Sequence, residues 1–124
     1  GARLRFLTAH LPPGGTLPER RRRVATVLEV WGGEPGTVVA ADTNAPPGST
    51  TMRDLAAAGL RPVWRDDADP GFTYPSDAPR AKIDWLLASP DLVASDAEVV
   101  LTSASDHLPL VARIDTPPAA AAGG

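Results

Sequence analysis

Ser105-Asp106-His107-Leu108-Pro109-Leu110 sets a carboxylate beside an imidazole just ahead of an apolar run, in a chain with only two histidines. A neighbouring Asp and His can hold a metal-bound phosphate and stabilise the charge on it. Read alone, the hexapeptide is equally a loop whose histidine caps a strand. Other polar residues in comparable places tip that balance. His10 follows one apolar segment, Asp42 and Asn44 follow another, and Asp84 interrupts Lys82-Ile83-Asp84-Trp85. Ligand sites gather at strand ends in sheets that contain parallel strands. An Asp inside an apolar strand is costly unless something pairs with it. A histidine suits Asp84, because a carboxylate fixes the imidazole tautomer and raises its basicity.

Phosphodiester hydrolysis needs a hard cation held by carboxylates, a carboxylate to orient or deprotonate water, and donors for the phosphoryl oxygens. Asp106 and Asp42 are the candidate metal carboxylates, and Asp42 can also position the water. Asn44, two residues on, can give an amide N–H to the phosphate. His107, oriented by Asp84, and His10 can donate to phosphoryl oxygens. Losing one such donor typically costs about 10²–10³ in rate. Rival chemistries fit less well. A Ser–His–Asp hydrolase using Ser103 or Ser105 lacks a Gly-x-Ser-x-Gly elbow, and a Ser two residues from His107 cannot easily meet it. Zinc held by His10, His107 and an Asp is a weak pattern without cysteine. Asp66, Asp67 and Asp69 read as a solvated loop before they read as a second cation site.

The elements that must position these residues are marked by local signals. Residues 3–9 alternate as a strand that ends at His10, and Pro12-Pro13-Gly14-Gly15 breaks the chain. A helix follows: Thr16 and Glu19 have capping-box spacing, and Pro18 sits in the first turn. Its apolar face is Val24, Val27, Leu28 and Trp31, its Arg20 to Arg23 run reads as a solvated face, and Gly32-Gly33 ends it. Residues 37–41 form an apolar strand stopping at Asp42. A second helix covers about 50–58, and 61–65 reads as a short strand. The loop over 66–80 is long enough to suggest function. Strands over 82–88, 97–102 and 108–114 close the chain.

The segments 38–41, 86–88 and 99–101 are apolar at consecutive positions, which suits strands covered on both faces. The two helices can cover only one face of a sheet, so the other face requires a further layer. Trp31, Trp64 and Trp85 read as core. Residues 116–124 are Pro, Ala and Gly without periodicity and read as a disordered tail.

Composition sets the outer bounds. The 124 residues fit one domain. No apolar run approaches the roughly 20 residues that span a bilayer. With no cysteine, disulfides, zinc–thiolate sites and thiol nucleophiles are excluded. The net charge of −3 argues against non-specific adhesion to nucleic acid, although a local phosphate site is compatible with it. The chain opens directly in strand-like sequence without a leader, which favours the cytoplasm.

Four segments together carry a resemblance. Thr8-Ala9-His10-Leu11, Ala41-Asp42-Thr43-Asn44, Lys82-Ile83-Asp84-Trp85 and Ser105-Asp106-His107-Leu108-Pro109-Leu110 resemble, in order, four motifs of the endonuclease/exonuclease/phosphatase superfamily, the deoxyribonuclease-I-like fold. Phe72-Thr73-Tyr74-Pro75 resembles a loop of small bacterial members. The resemblance implies an α/β fold, half of a four-layer α/β/β/α sandwich: one mixed, mainly antiparallel sheet with helices on one face, over residues 1–115. It implies divalent-metal phosphoester hydrolysis with Mg²⁺ or Mn²⁺, on a phosphoester substrate that can be a nucleic acid. The implied roles are Asp42 as base or water orienter and Asn44 as phosphate donor. Asp84 would be the partner of His107, Asp106 a metal carboxylate and His10 a phosphate contact. Departures are Ala41 for the usual Gly and Lys82 for the commoner Arg. Members are roughly twice this length, and their first half supplies a second sheet, an early Asn and the principal metal-binding Glu. Glu19, Glu29, Glu34 and Glu98 do not replace that Glu. The chain therefore resembles a C-terminal half whose partner is the N-terminal half of the fold. The alternative is a non-catalytic binding module that keeps the fold without the metal.

Overall fold

Thr16 starts the first helix in the way its spacing requires. Its hydroxyl accepts the Glu19 N–H at 3.3 Å, and the Glu19 carboxylate accepts the Thr16 N–H at 2.7 Å. These bonds, the backbone one first, hold the Glu19 carboxyl below the usual carboxylate range. The helix, α1 (Leu17–Trp31), ends on Gly32 at φ 64°, a left-handed conformation that glycine adopts without Cβ strain. At that end the Arg5 guanidinium donates to the Val30 and Trp31 carbonyls, each at 2.8 Å, placing a cation at the negative pole of the helix.

The computed structural model describes residues 3–64 and 69–116. Around α1 run β1 (Arg5–His10), β2 (Thr37–Asp42), α2 (Thr50–Ala57), β3 (Arg61–Pro62), β4 (Asp84–Ala88), β5 (Val93–Val99) and β6 (Leu110–Asp115). Four strands form one sheet in the order β1-β2-β4-β3, and β5 pairs with β6 as a separate two-stranded sheet. β1 and β2 are parallel, while β4 is antiparallel to both β2 and β3. The expected mixed, mainly antiparallel sheet is therefore present.

Both helices lie on one face of this sheet, also as expected. Val24 and Trp31 of α1 and Met52 and Leu55 of α2 pack on Val39, Ala41, Trp85 and Leu87. Alternate residues, Val38 and Ala88, point to the other face, where they meet Val63, Leu92 and the inner side chains Ala94, Ala97, Ala112 and Ile114 of the β5–β6 hairpin. Phe6 on β1 stays 68 % exposed. The end of the sheet away from His10 is closed by a polar clasp. Asp91 accepts the Gly36 N–H at 2.9 Å and the Ser89 hydroxyl at 2.7 Å, and Ser89 Oγ accepts the Thr37 N–H at 2.9 Å.

Several expectations change. The strand read over 97–102 is β5, which begins earlier at Val93 and ends at Val99. Its register with β6 runs from Val93 opposite Asp115 to Val99 opposite Leu110, with an irregularity between Ser95 and Glu98. The run 99–101 is not covered on both faces, since Leu101 is 81 % exposed. Arg20 and Arg23 do not simply face water. Arg20 donates to the Gly15 carbonyl, and Arg23 to the carbonyls of Pro12 and Gly14, so the helix pins the loop after β1. Trp31 and Trp85 are core residues, whereas Trp64 is half-buried. The tail from 117 onward and the pair Asp66 and Asp67 lie outside the described residues. Among the described residues no helix is long and apolar enough to cross a membrane.

Candidate active site

Strand register does the first assembly step. His10 lies opposite Asp42 across β1 and β2, and Asp42 lies opposite Asp84 across β2 and β4. Three polar residues far apart in sequence thus stand abreast on neighbouring strands. Cross-strand neighbours project to the same side of a sheet. That side is the one opposite the helices.

The loop before β6 delivers the fourth group. His107 Nδ1 is 2.7 Å from Asp84 Oδ2. A carboxylate can only accept, so Nδ1 carries a proton and Nε2 is the atom that titrates. Nε2 turns toward Asp42, 3.8 Å from its Oδ2, and His10 Nε2 approaches the same oxygen at 3.6 Å. The His107 pKa is raised, first by the hydrogen bond to Asp84; burial opposes this, and the charges of Asp84, Asp42 and Asp106 add to it. A cleft of about 440 Å³ opens here, with Asp42, Asp84, Leu86, Ser105 and His107 among its walls.

Asn44 is held in an unusual backbone state, at φ 48°. Asn tolerates this region better than most residues. The Asp42 side chain supports the turn by accepting the Asn44 N–H at 3.0 Å. Asn44 Nδ2 donates to the Leu11 carbonyl at 2.7 Å, tying the end of β1 to the loop after β2. One side-chain amide hydrogen is left for a ligand.

Asp106 takes a different place from the others. It is exposed, and its carboxylate accepts a hydrogen bond from Ser105 Oγ at 3.4 Å. The ligand atoms of Asp42, Asp84 and His107 all lie within 4.8 Å of one another, and Asp106 is outside that group. Ser105 Oγ accepts the backbone N–H of His107 at 3.2 Å, a turn-forming role.

Thr73 is the residue that type and spacing did not single out. It is fully buried, and its hydroxyl donates to Asp84 Oδ2 at 2.7 Å. Its carbonyl accepts the Leu108 N–H at 2.7 Å, and the next ring, Tyr74, lies 4.8 Å from the His107 ring. Thr73 thus braces both members of the Asp84–His107 pair. The only signal was the Phe72-Thr73-Tyr74-Pro75 resemblance, because a neutral hydroxyl in a long loop announces no partner.

Whether the donor set suits a divalent cation is a matter of chemistry. Mg²⁺ and Mn²⁺ prefer oxygen, and Mg²⁺ is typically held by one or two carboxylates completed by water and substrate phosphate. Asp42 meets that need. Asp84 Oδ2 and His107 Nδ1 are committed to each other, which suits them to orientation. The residues fit a cation held in part by this chain, with coordination positions left for other ligands.

A mixed α/β sheet with helices on one face and an Asp–His pair and second carboxylate at its strand ends defines the structural class. The chain belongs to the endonuclease/exonuclease/phosphatase family, whose model matches residues 6–107. Proteins of this family are generally metal-dependent phosphoester hydrolases. The structure is similar to the endonuclease/exonuclease/phosphatase from Bacteroides vulgatus, with TM-score 0.71, 19 % identity, and 88 % of this chain against 49 % of that one covered. It is similar to the protein of the same description from Beutenbergia cavernae, with TM-score 0.68, 24 % identity, and 86 % against 34 % covered. The endonuclease domain of TRAS1, a telomere-specific non-LTR retrotransposon, gives TM-score 0.61, 19 % identity, and 82 % against 51 % covered. The chain therefore spans about half or less of each of these proteins. No curated protein matches it.

Proposed function

We propose that this chain forms one wall of the active site of a divalent-metal-dependent phosphoester hydrolase of the phosphodiesterase, nuclease or phosphatase type. The observation that carries the reading is the Asp84–His107 pair facing Asp42 at the strand ends. Asp42 takes the proton of the attacking water as the water oxygen bonds to phosphorus. The leaving P–O bond breaks with its electron pair passing to the leaving oxygen, which takes a proton from solvent. Asn44 donates its free amide hydrogen to a phosphoryl oxygen. Protonated His107, held by Asp84, donates from Nε2 to another, and His10 donates from the exposed rim. Asp42 and Asp106 would hold Mg²⁺ or Mn²⁺, which when bound neutralises phosphoryl charge.

The apolar face that carries Phe6 takes a second sheet, the N-terminal half of the fold, which would bring the remaining metal ligand. That no glutamate belongs to the Asp42, Asp84 and His107 group, among the described residues, favours one other reading: a binding module without the metal.

Hydrolysis of bis(p-nitrophenyl) phosphate with Mg²⁺ or Mn²⁺ tests both, measured with and without an N-terminal half supplied in trans. Activity that is abolished by EDTA and by Asp42→Ala or His107→Ala is expected. Full activity in both variants would sink the site assignment, and inactivity under every condition would leave the binding module. DNA, RNA and a phosphomonoester offered in parallel separate the nuclease, diesterase and phosphatase forms.

A further inference from the structure

Lys82 is the only lysine of the chain, and it is buried, with 2 % exposure. Its ammonium lies 4.4 Å from the centre of the Trp64 ring and 4.3 Å from that of Trp85. Among the described residues it has no hydrogen-bond partner. Burial pushes its pKa down to about 8, against the opposing influence of Asp84 and Asp69. A buried ammonium without hydrogen bonds is costly, and two indole faces offset only part of that cost. An apolar side chain of similar length would fill the space without the desolvation penalty. Beyond the charges of Asp84 and Asp69, packing among the described residues gives no reason for a cation here.

The two indoles give one, because each is tied to a loop of the site. Trp85 Nε1–H donates to the Ala45 carbonyl at 3.1 Å. Ala45 directly follows Asn44, and its N–H returns to Thr43 Oγ1 at 3.2 Å. Trp64 Nε1–H donates to the Asp69 carbonyl at 2.8 Å. Gly71, at φ 66°, crosses Trp64 so closely that a Cβ would stand 2.6 Å from the ring. Two residues further on, Thr73 reaches Asp84. The ammonium therefore sits where the loop of Asn44 and the loop of Thr73 converge. Cation–π attraction acts through the ring face, so it fixes the plane of each indole in a way an apolar neighbour does not.

We infer that Lys82 is a positioning residue for the phosphate site: its ammonium, gripped by Trp64 and Trp85, sets the indole that anchors Ala45 and, with it, Asn44. The role in turnover rests on the hydrolase reading above; the role in holding Asn44 does not.

Hydrogen exchange by NMR on the ¹⁵N-labelled chain tests it directly, with Lys82→Met, Lys82→Arg and Gly71→Ala beside the parent. In Lys82→Met the Trp85 indole N–H and the Asn44 and Ala45 amides should exchange at least about tenfold faster, while the β2 amides exchange no faster. Lys82→Arg keeps the cation and should keep the slow exchange. Gly71→Ala drives Trp64 off the ammonium with Lys82 intact, and should loosen the same groups even if Lys82→Met fails to fold. Parental exchange at Trp85 and Asn44 in the two loosening variants overturns the inference, as does acceleration spread evenly over β2. Turnover should fall about 10- to 100-fold in Lys82→Met at nearly constant KM, and recover in Lys82→Arg. Parental turnover in Lys82→Met overturns the catalytic part. An inactive parent overturns the hydrolase reading instead, and the exchange measurement still decides the role of Lys82.

Discussion

Replacing Asp84 by Asn removes one charge and keeps the shape, so its cost can be worked from the contacts. Asp84 Oδ2 accepts from His107 Nδ1 and from Thr73 Oγ1, each at 2.7 Å. A hydrogen bond to a charged group contributes about 1.5–3 kcal/mol, against about 0.5–1.5 kcal/mol for a neutral pair. Losing charge assistance in both bonds, at side chains 21 % and 30 % exposed for Asp84 and His107, costs about 1–2 kcal/mol after solvent screening. The pH dependence has a definite sign. The folded His107 pKa is raised above the ordinary 6.5, chiefly by the bond to Asp84. The stability this contributes is fully present below the unfolded pKa and is lost as pH rises through the folded one. The gap between parent and Asp84→Asn should therefore be widest near about pH 6 and narrow as the imidazolium deprotonates. Urea unfolding followed by tryptophan fluorescence, in EDTA and at half-unit pH steps, measures that gap. A gap that is flat with pH, or that widens as pH rises, would refute the coupling of Asp84 to His107.

Asp42→Asn keeps an oxygen to receive the Asn44 N–H but removes the base, so turnover should fall about 10²–10³-fold with an unchanged circular dichroism spectrum. Gly36→Ala forces a Cβ to within 2.8 Å of the Arg3 carbonyl at φ 66°, and should lower unfolding free energy by about 1–3 kcal/mol in urea titration. Thr16→Ala removes one arm of the capping box and should cost about 1 kcal/mol, read as a lower Tm.

The first helix was legible because its signals are local. Thr16, Pro18 and Glu19 lie within one turn, and Gly32 stands at the end of the apolar stripe. The site was legible to the extent that its members have telling types. His10, Asp42, Asp84 and His107 each close or open an apolar run, and a carboxylate in such a run needs a partner. Less of the hairpin could be read. Apolar residues at 99–101 mimic a strand core, but the pairing of β5 with β6 decided its ends.

Arg20 and Arg23 show the same boundary from another side. A charge run on a helix says nothing about a loop five or more residues back whose carbonyls need donors. Thr73 is clearer still, since its hydroxyl reaches Asp84 without a charge of its own to betray it.

The amino-acid sequence by itself determined which groups can do chemistry here and where both helices begin. Side-chain type, capping and periodicity are properties of a residue and its near neighbours. Only the tertiary structure decided that His10, Asp42 and Asp84 stand abreast, that His107 turns Nδ1 to Asp84 and Nε2 to Asp42, and that Lys82 is closed between two indoles. Those facts depend on strand register and on the path of loops that close over tens of residues, and a shift of one residue in register would turn the same side chains to the opposite face of the sheet.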